Sequence, residues 1–437
     1  MKKTIAEKSP KVQETFTGKG ITSFGGTGLI RRFFKRHRVE EQLEEGLVIE
    51  GRRESRYRPS ELMVSVLYGI FLGYPRPGQM KVWVGDRVFQ KLAGLKGFPV
   101  QSTLSRFFAG LKVAVVQQMG QVSFNQLLAF RKHFRGWFRI TLDLDSHVTP
   151  VYGKQQRAAL GYNPKKKGRK SYHPLLCFIG ETRDYLAGRL RSGDHHTSYK
   201  ARDFLKEVLQ KLPGHLKKIR LRADSGFFGT EFVTFLIRRK IEFYIAVPLQ
   251  PWVQRPIAAL ADWRSIGKGV EVNEWPISLG SDGLRMVVVR KKVKAGESPK
   301  KQLSLLRGFD ELFDYQVILT NSLIRPEEVW RFYNQRACCE NFIKEGIYGF
   351  GMDKVISHSY AGNWAYLELL MFGYNLMNFF KEEVLKQKKV KEMVQSIREK
   401  IFRVPGRLIH TGRCWILKLE STWYARREFN EALARIG

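Results

Sequence analysis

Acidic residues are scarce in this sequence. Its 437 residues hold 41 Asp and Glu against 76 Lys and Arg, a formal excess of +35. Cysteine is scarcer: there are four, Cys177, Cys338, Cys339 and Cys414, and no Cys-x2-Cys pair occurs. That spacing argues against a structural zinc site, and so few cysteines in so long a chain predict a reducing compartment. Long apolar runs are missing too. Leu62–Leu72 falls well short of the ~20 residues a membrane span needs, and residues 364–380 are interrupted by Glu368, Asn375 and Asn378. Both runs predict buried helices. The opening "MKKT" has the basic residues of a secretory signal, but "IAEKSPKV" follows with no apolar segment. The expectation is a soluble, cytoplasmic protein with no membrane partner.

Apolar material is present in quantity: 43% hydrophobic and 13% aromatic residues, enough for a sizeable core. Length alone suggests about three domains. A chain this cationic repels itself and attracts polyanions. Nucleic acid, with its dense line of phosphates, is the leading partner, and an anionic membrane surface is the competitor. The basic residues recur in clusters at 31–38, 165–170, 238–240, 290–292 and 386–389 rather than in one amphipathic helix or tail. Such spread suits a partner wrapping several domains better than a flat bilayer. The plainer alternative is a basic enzyme with solvated faces.

Residues 1–135 read as mainly helical. Pro59 and Ser60 open an apolar helix that Gly73 and the Pro75/Pro77 pair stop. Ser102 or Thr103 caps another, with Leu104, Phe107, Phe108 and Leu111 on its apolar side and Arg106 outside that stripe. As the second helix of a helix-turn-helix it would aim Arg106 at DNA, and an ordinary packing helix fits equally well. Phe24–Leu29, "FGGTGL", lacks the spacing, the following Lys-Ser/Thr and the preceding strand of a phosphate loop, so a turn is expected. Across 136–249, strand-like runs at Arg139–Ser146, Leu175–Glu181, Tyr185–Arg191, "KKIRLRAD" and Glu242–Val247 mix with helices at Tyr199–Leu212 and Thr230–Lys240. Residues 250–315 read as a separate β-rich block. Within 316–380, Pro326 opens a helix with Glu327 and Glu328 against its N-terminal dipole. The remainder, including a basic region at 381–437, reads as helical.

Chemistry is carried by carboxylates. Asp143 and Asp145 lie two apart on one strand and therefore share a face. Asp224 sits where another strand ends and a Gly turn begins, the place where α/β sheets put functional groups. Tyr333, Arg336, Glu340 and Lys344 fall within about 80° of one another if one helix carries them all. A solvated face with ion pairs explains that helix alone. Three acids at element ends in a basic chain explain more: carboxylates without cationic partners repel unless hard cations lie between them, and Mg²⁺ or Mn²⁺ prefers such ligands. Two such ions can activate a nucleophile and stabilise the leaving oxygen of a phosphodiester.

The blocks "DLDSHVTPVYGKQQRAALGYNPKKKGRKSYHPLL", "RADSGFFG" and "YNQRACCENFIKEGIYGFGMDKV", in that order, resemble the DDE transposases of bacterial insertion sequences. The likeness is greatest to the IS-four-like group, whose third acid lies in a Tyr-x2-Arg-x3-Glu signature matched by Tyr333, Arg336 and Glu340. "GYNPKKKGRKSYHPLL" is similar to the insertion-sequence family numbered thirteen-eighty. The resemblance, over roughly residues 20–380, implies an α/β RNase H-like core (a mixed sheet flanked by helices) with a β-rich insertion, plus helical N-terminal and C-terminal regions. It implies cut-and-paste transposition in which Asp145, Asp224 and Glu340 are catalytic and bind two Mg²⁺ or Mn²⁺ ions. Tyr333 and Arg336 would contact DNA near the cleavage site, and a DNA-bound homodimer on terminal inverted repeats would act at the bacterial nucleoid. Two departures stand out. The Lys expected at position 347 is Ile, leaving Lys344 to stand in, and His147 replaces the usual Thr.

The loop bearing Lys165, Lys166, Arg169 and Lys170 follows the first catalytic strand, so DNA backbone contact is expected of it. His195 and His196 are either metal ligands or plain loop residues, Cys338 and Cys339 are expected to pack in a helix, and Trp252, Trp263 and Trp275 belong to a core rather than to base stacking. Asp143 is the weaker claimant beside Asp145. The rival functions are an RNase H-like nuclease that cuts without joining, and a domesticated, non-catalytic DNA-binding protein.

Overall fold

The computed structural model describes residues 12–50, 55–132, 136–161, 163, 166–278, 283–293, 313–386 and 392–437. After a short strand β1 (Ile21–Thr22) come six helices: α1 (Thr27–Arg36), α2 (Val39–Gly46), α3 (Pro59–Leu72), α4 (Arg87–Ala93), α5 (Gln101–Ala109) and α6 (Val113–Phe130). In the "FGGTGL" stretch Gly25 and Gly26 form a turn, as expected, while Thr27–Leu29 already belong to α1. There Gly26 lies so close to the chain near residue 401 that a Cβ would sit 2.0 Å from the Ile401 carbonyl oxygen. In α3, Pro59 takes the first turn, where its missing N–H costs nothing, and Gly73 ends the helix at φ 88. Glu61 accepts the Arg58 N–H at 2.8 Å, so the start is capped from Arg58 and Glu61 rather than Ser60. α3 is buried all round, as an apolar run without a polar stripe must be. α5 begins one residue before the expected caps and buries Leu104, Phe107 and Phe108.

The central sheet follows. In chain order its first strands are β2 (Arg139–Ser146), then β3 (Thr149–Pro150), β4 (Ala159–Leu160) and β5 (Lys170–Tyr172) of a small side sheet, then β6 (Leu175–Ile179) and β7 (Tyr185–Arg189). Next come α7 (Ala201–Lys211), β8 (Lys218–Ala223), α8 (Thr230–Arg238), β9 (Glu242–Val247), α9 (Pro251–Ala258), β10 (Arg264–Gly267), β11 (Val270–Ile277), β12 (Leu284–Lys292) and β13 (Phe313–Thr320). Nine strands form one mixed sheet in the order β10-β11-β12-β13-β9-β8-β2-β6-β7. β2, β8 and β9 run parallel, while β6 is antiparallel to both of its neighbours, β2 and β7, so that β7 again runs in the direction of β2. α7 and α8 supply the crossovers that parallel neighbours require.

Residues 250–315 are therefore not a separate block. β13 pairs with β9 through Val317↔Val247 to Thr320↔Tyr244, and β12, β11 and β10 continue the same sheet. The physical reason is the free edge of β9: its apolar residues are buried, and unpaired backbone groups there would be costly.

The chain closes with α10 (Pro326–Asn334), α11 (Ala337–Phe350), α12 (Tyr360–Glu383), α13 (Val394–Ile397), β14 (Gly406–Thr411), β15 (Cys414–Leu419) and α14 (Arg426–Ile436). α12 is buried along nearly its whole length, packed on α3, α5, α6, α11 and β7. Among the described residues no helix is long and apolar enough to cross a membrane. The expected all-helical C-terminal region instead contains a β14–β15 hairpin, turned at Gly412 with φ 54, whose first strand pairs with β1. "RLIHTGRCWILKL" holds two apolar-rich runs around that Gly, the local signal of a hairpin. Arg398 fastens this end down: its buried guanidinium donates to the carbonyls of Ile70, Phe71 and Gly349.

Candidate active site

Parallel pairing of β2 with β8 sets Leu144 opposite Ala223. The next residue on each strand is an aspartate, so Asp145 and Asp224 leave the sheet side by side at the carboxyl ends of neighbouring strands. Asp145 Oδ1 accepts the Ser146 N–H at 2.7 Å, and Asp224 Oδ1 accepts the Gly226 N–H at 3.0 Å. The third element is the α10–α11 pair, which is not the single helix the spacing suggested. It breaks at Gln335 and Arg336, where Arg336 and Cys339 make i→i−3 bonds to Tyr333 and Arg336. The break nevertheless keeps Tyr333, Arg336, Glu340 and Lys344 on one side. With Asp145 and Asp224 they line a single cleft of about 520 Å³, with Tyr348, 81% exposed, also on its lining.

Charge in the cleft is unevenly screened. Asp145 is buried and its Oδ2 lies 3.0 Å from Arg336 Nη2. Burial pushes the Asp145 carboxyl up to about 6, and the negative charges of Asp224 and Glu340 add to the rise, against the pull of Arg336 and the Ser146 N–H. Burial works against the Arg336 cation, yet Asp145 holds it charged, above the ordinary arginine range. Burial also pushes Tyr333 up to about 12. Asp224 is half-buried, and Glu340 is exposed in the first turn of α11. Among the described residues no three His, Cys, Asp or Glu side chains converge tightly enough to hold an ion. In this arrangement the cation at Asp145 is Arg336.

The premise of carboxylates without cationic partners is thus corrected. Asp143, 0% exposed, is clasped by Arg222 of β8, with Nε to Oδ1 at 2.6 Å and Nη2 to Oδ2 at 2.7 Å. Burial raises the Asp143 pKa and Arg222 opposes the rise. Arg222 was not singled out in the sequence, although it stands two residues before Asp224 on one strand as Asp143 stands two before Asp145 on the other. His173 and Arg191 were missed as well. His173 Nε2 lies 3.0 Å from Ser146 Oγ, and Arg191 donates to the carbonyls of His173, Thr197 and Tyr199, fixing a loop whose Thr197 abuts Gly226. No local pattern announces either role.

The expected DNA contacts divide. Tyr333 and Arg336, each 6% exposed, are buried in the cleft, and the Tyr333 hydroxyl donates to the Ala223 carbonyl at 3.4 Å. The α10–α11 turn presses both onto the ends of β2 and β8, where they line the cleft beside Asp145 and Asp224. Lys344 is exposed on the cleft lining, and Ile347 and His147 also reach it. Lys166, Arg169 and Lys170 are exposed outside the cleft; Lys166 and Arg169 lie over the Tyr152 ring at 4.8 and 4.7 Å. Lys165 lies outside the described residues. Arg106 is exposed on α5 and lines a different cleft, with Arg56 and Lys96.

His195 stacks on Tyr199 at 3.8 Å and His196 Nδ1 bonds Ser198 Oγ at 3.0 Å, the behaviour of plain loop residues. Cys339 is buried in α11, and the Cys338 side chain lies outside the described residues. Trp263 and Trp275 are half-buried against the core, but Trp252 remains 40% exposed, stacked on Phe228.

The family model described as "Transposase DDE domain group 1" matches residues 5–437. No curated protein matches the sequence. Among solved structures the chain is similar to a piggyBac transposase synaptic complex with hairpin DNA, at 12% identity and a TM-score of 0.47, covering 88% of this chain and 82% of that one. It is also similar to the Drosophila P element transposase strand transfer complex, at 12% identity and a TM-score of 0.23, covering 50% of each chain. With the family match extending over the two β-strand aspartates, the broken helix and both termini, the chain belongs to the Transposase DDE domain group 1 family and is an enzyme, a DNA transposase.

Proposed function

We propose that this transposase cuts the ends of a mobile element and joins each freed 3′-OH to target DNA, with Asp145, Asp224 and Glu340 as its catalytic acids. The observation that carries this reading is the gathering of those three carboxylates with Arg336 in one cleft. The donor set is all oxygen, as Mg²⁺ or Mn²⁺ prefers, so two ions fit its chemistry once Arg336 yields its place at Asp145. Bound there, they would activate the attacking oxygen and stabilise the leaving one. The β7-β6-β2-β8-β9 portion, an antiparallel β2–β6–β7 meander continued by the parallel strands β8 and β9, supports an RNase H-like core.

The chain's own groups supply the rest. Arg336 Nε is buried without an acceptor, a donor suited to a phosphate oxygen. Lys344 and Tyr348 lie along the cleft where a strand would pass. Lys166, Arg169 and Lys170, with Tyr152 between them, offer a basic and aromatic surface for the DNA backbone. Arg106 is assigned to recognition of the terminal inverted repeats. A DNA-bound homodimer, an origin in a bacterial insertion sequence of the IS-four-like group near the family numbered thirteen-eighty, and action at the nucleoid complete the reading, with residues 1–135 as the DNA-recognition region.

The test is an oligonucleotide assay with labelled element ends and Mg²⁺ or Mn²⁺. Cleaved and joined products are expected from the wild type, and neither from Asp145→Asn, Asp224→Asn or Glu340→Gln. Cleavage without joining under every metal and substrate would instead make the protein a nuclease, and active variants would remove these residues from the chemistry.

A further inference from the structure

Each of the three acids reaches the cleft from a different element: Asp145 from β2, Asp224 from β8 and Glu340 from α11. One buried side chain ties β2 and β8 to the end of α10, just ahead of α11. Arg222 is part of β8, two residues before Asp224. Its Nε and Nη2 hold both oxygens of Asp143, its register partner on β2, two residues before Asp145. Its Nη1 donates to the Phe332 carbonyl at 2.9 Å and lies 3.5 Å from Gln335 Oε1, at the end of α10 where the chain turns into Arg336 and α11. The guanidinium also lies over the Phe332 ring, at 4.9 Å. Space for it depends on Gly180, where a Cβ would fall 2.6 Å from Arg222 Nη2.

We propose that Arg222 is a positioning residue for transposition, setting the spacing of Asp145, Asp224 and Glu340 by joining the two strands that lead to the aspartates to the end of α10, from which the chain turns into the Glu340 helix. A planar fork with donors on several sides does this, and a lysine cannot, because one ammonium has no fixed geometry with which to serve a carboxylate and a carbonyl on opposite sides. Arg222 is screened from the cleft by burial and is not among its lining residues, so it acts through the acids and not on DNA. The inference rests on the assignment of those acids.

Three variants test it in the full-length protein. Arg222→Lys keeps the charge opposite Asp143, the Asp143→Asn/Arg222→Met pair removes both buried charges together, which cores tolerate better than removing one, and Gly180→Ala displaces the guanidinium while every charge remains. Strand-transfer kcat is expected to fall on the order of 10²-fold in the pair, as for misplacements of about 1 Å, and less in the other two. KM for DNA should stay within about twofold, and Mn²⁺ binding to DNA-free protein, read by electron paramagnetic resonance, should weaken in parallel with kcat. Wild-type kcat and Mn²⁺ binding in folded Arg222→Lys and Gly180→Ala would overturn the proposal. Asp145→Asn is run alongside: if it stays active, the acid assignment itself fails, and if it is dead while all three variants behave as wild type, only the positioning role fails.

Discussion

Asp145 should make the protein less stable as pH rises, by an amount the site geometry fixes. Its carboxyl is pushed from an ordinary value of 3.8 up to about 6, chiefly by burial. Between those values the folded state holds a proton that the unfolded state has lost, so stability falls with rising pH. The stabilising contribution of the protonated form is complete below the unfolded value and gone above the folded one. The gap converts to ~3 kcal/mol, or about 3 °C in melting temperature for a chain of this length, and most of it appears between pH 4 and 7. Other buried acids titrate in the same range, Glu368 at about 7 among them, so the observable is the difference between wild type and Asp145→Asn. Arg336 stays charged throughout and shifts that difference by a constant. Thermal melts in chelator should show Asp145→Asn gaining on the wild type by ~3 °C from pH 4 to 7, and Mg²⁺ at pH 8 should raise the wild-type midpoint without moving the variant. Parallel curves for the two proteins would refute the reasoning, because they would mean that Arg336 outweighs burial at Asp145.

Arg131→Met should cost 3–5 kcal/mol, roughly the price of leaving a buried charge unpaired, because Arg131 holds the fully buried Asp184 at 2.7 and 3.1 Å and also pairs Glu382; urea unfolding measures it. Replacing Lys166 and Arg169 by Ala should lower the slope of log K for DNA binding against log salt by about two, with single-turnover cleavage of bound ends unchanged. Gly26→Ala should destabilise by about 1–3 kcal/mol, since its methyl meets the Ile401 carbonyl oxygen; a differential melt reads it.

Where a pattern is local, the sequence carried it. β2 and β9 span Arg139–Ser146 and Glu242–Val247 as expected, α10 begins at Pro326, and α3 stops at Gly73, since alternation, proline and glycine act within a few residues. What was not legible is which edges meet. The runs that became β11–β13 read as β-rich, but whether they form their own sheet or extend another depends on the open edge of β9, more than 60 residues from the start of β13. The C-terminal hairpin was lost to the basic helices around it, although Gly412 sits where a turn needs positive φ.

The site follows the same division. Period-two spacing puts Asp143 and Asp145 on one face whatever the topology, but their separate roles depend on what faces each. Once β2 and β8 are known to lie parallel with Asp143 opposite Arg222, the pairing of those two is a matter of register. Asp145 lies one step beyond Leu144, the last residue paired with β8, and its partner on β6 is Leu176, so it has no cross-strand arginine. Its countercharge has to come from elsewhere in the chain, and Arg336 supplies it from the turn between α10 and α11. The two arginines therefore differ in kind. Arg222 spends its donors on Asp143, Phe332 and Gln335 and is fixed, whereas Arg336 keeps an unsatisfied Nε beside the one carboxylate of the pair that opens on the cleft. The proposed role requires the Asp145 carboxylate to exchange partners during the reaction, and of the two aspartates it alone is paired with an arginine that keeps an unused donor on the cleft.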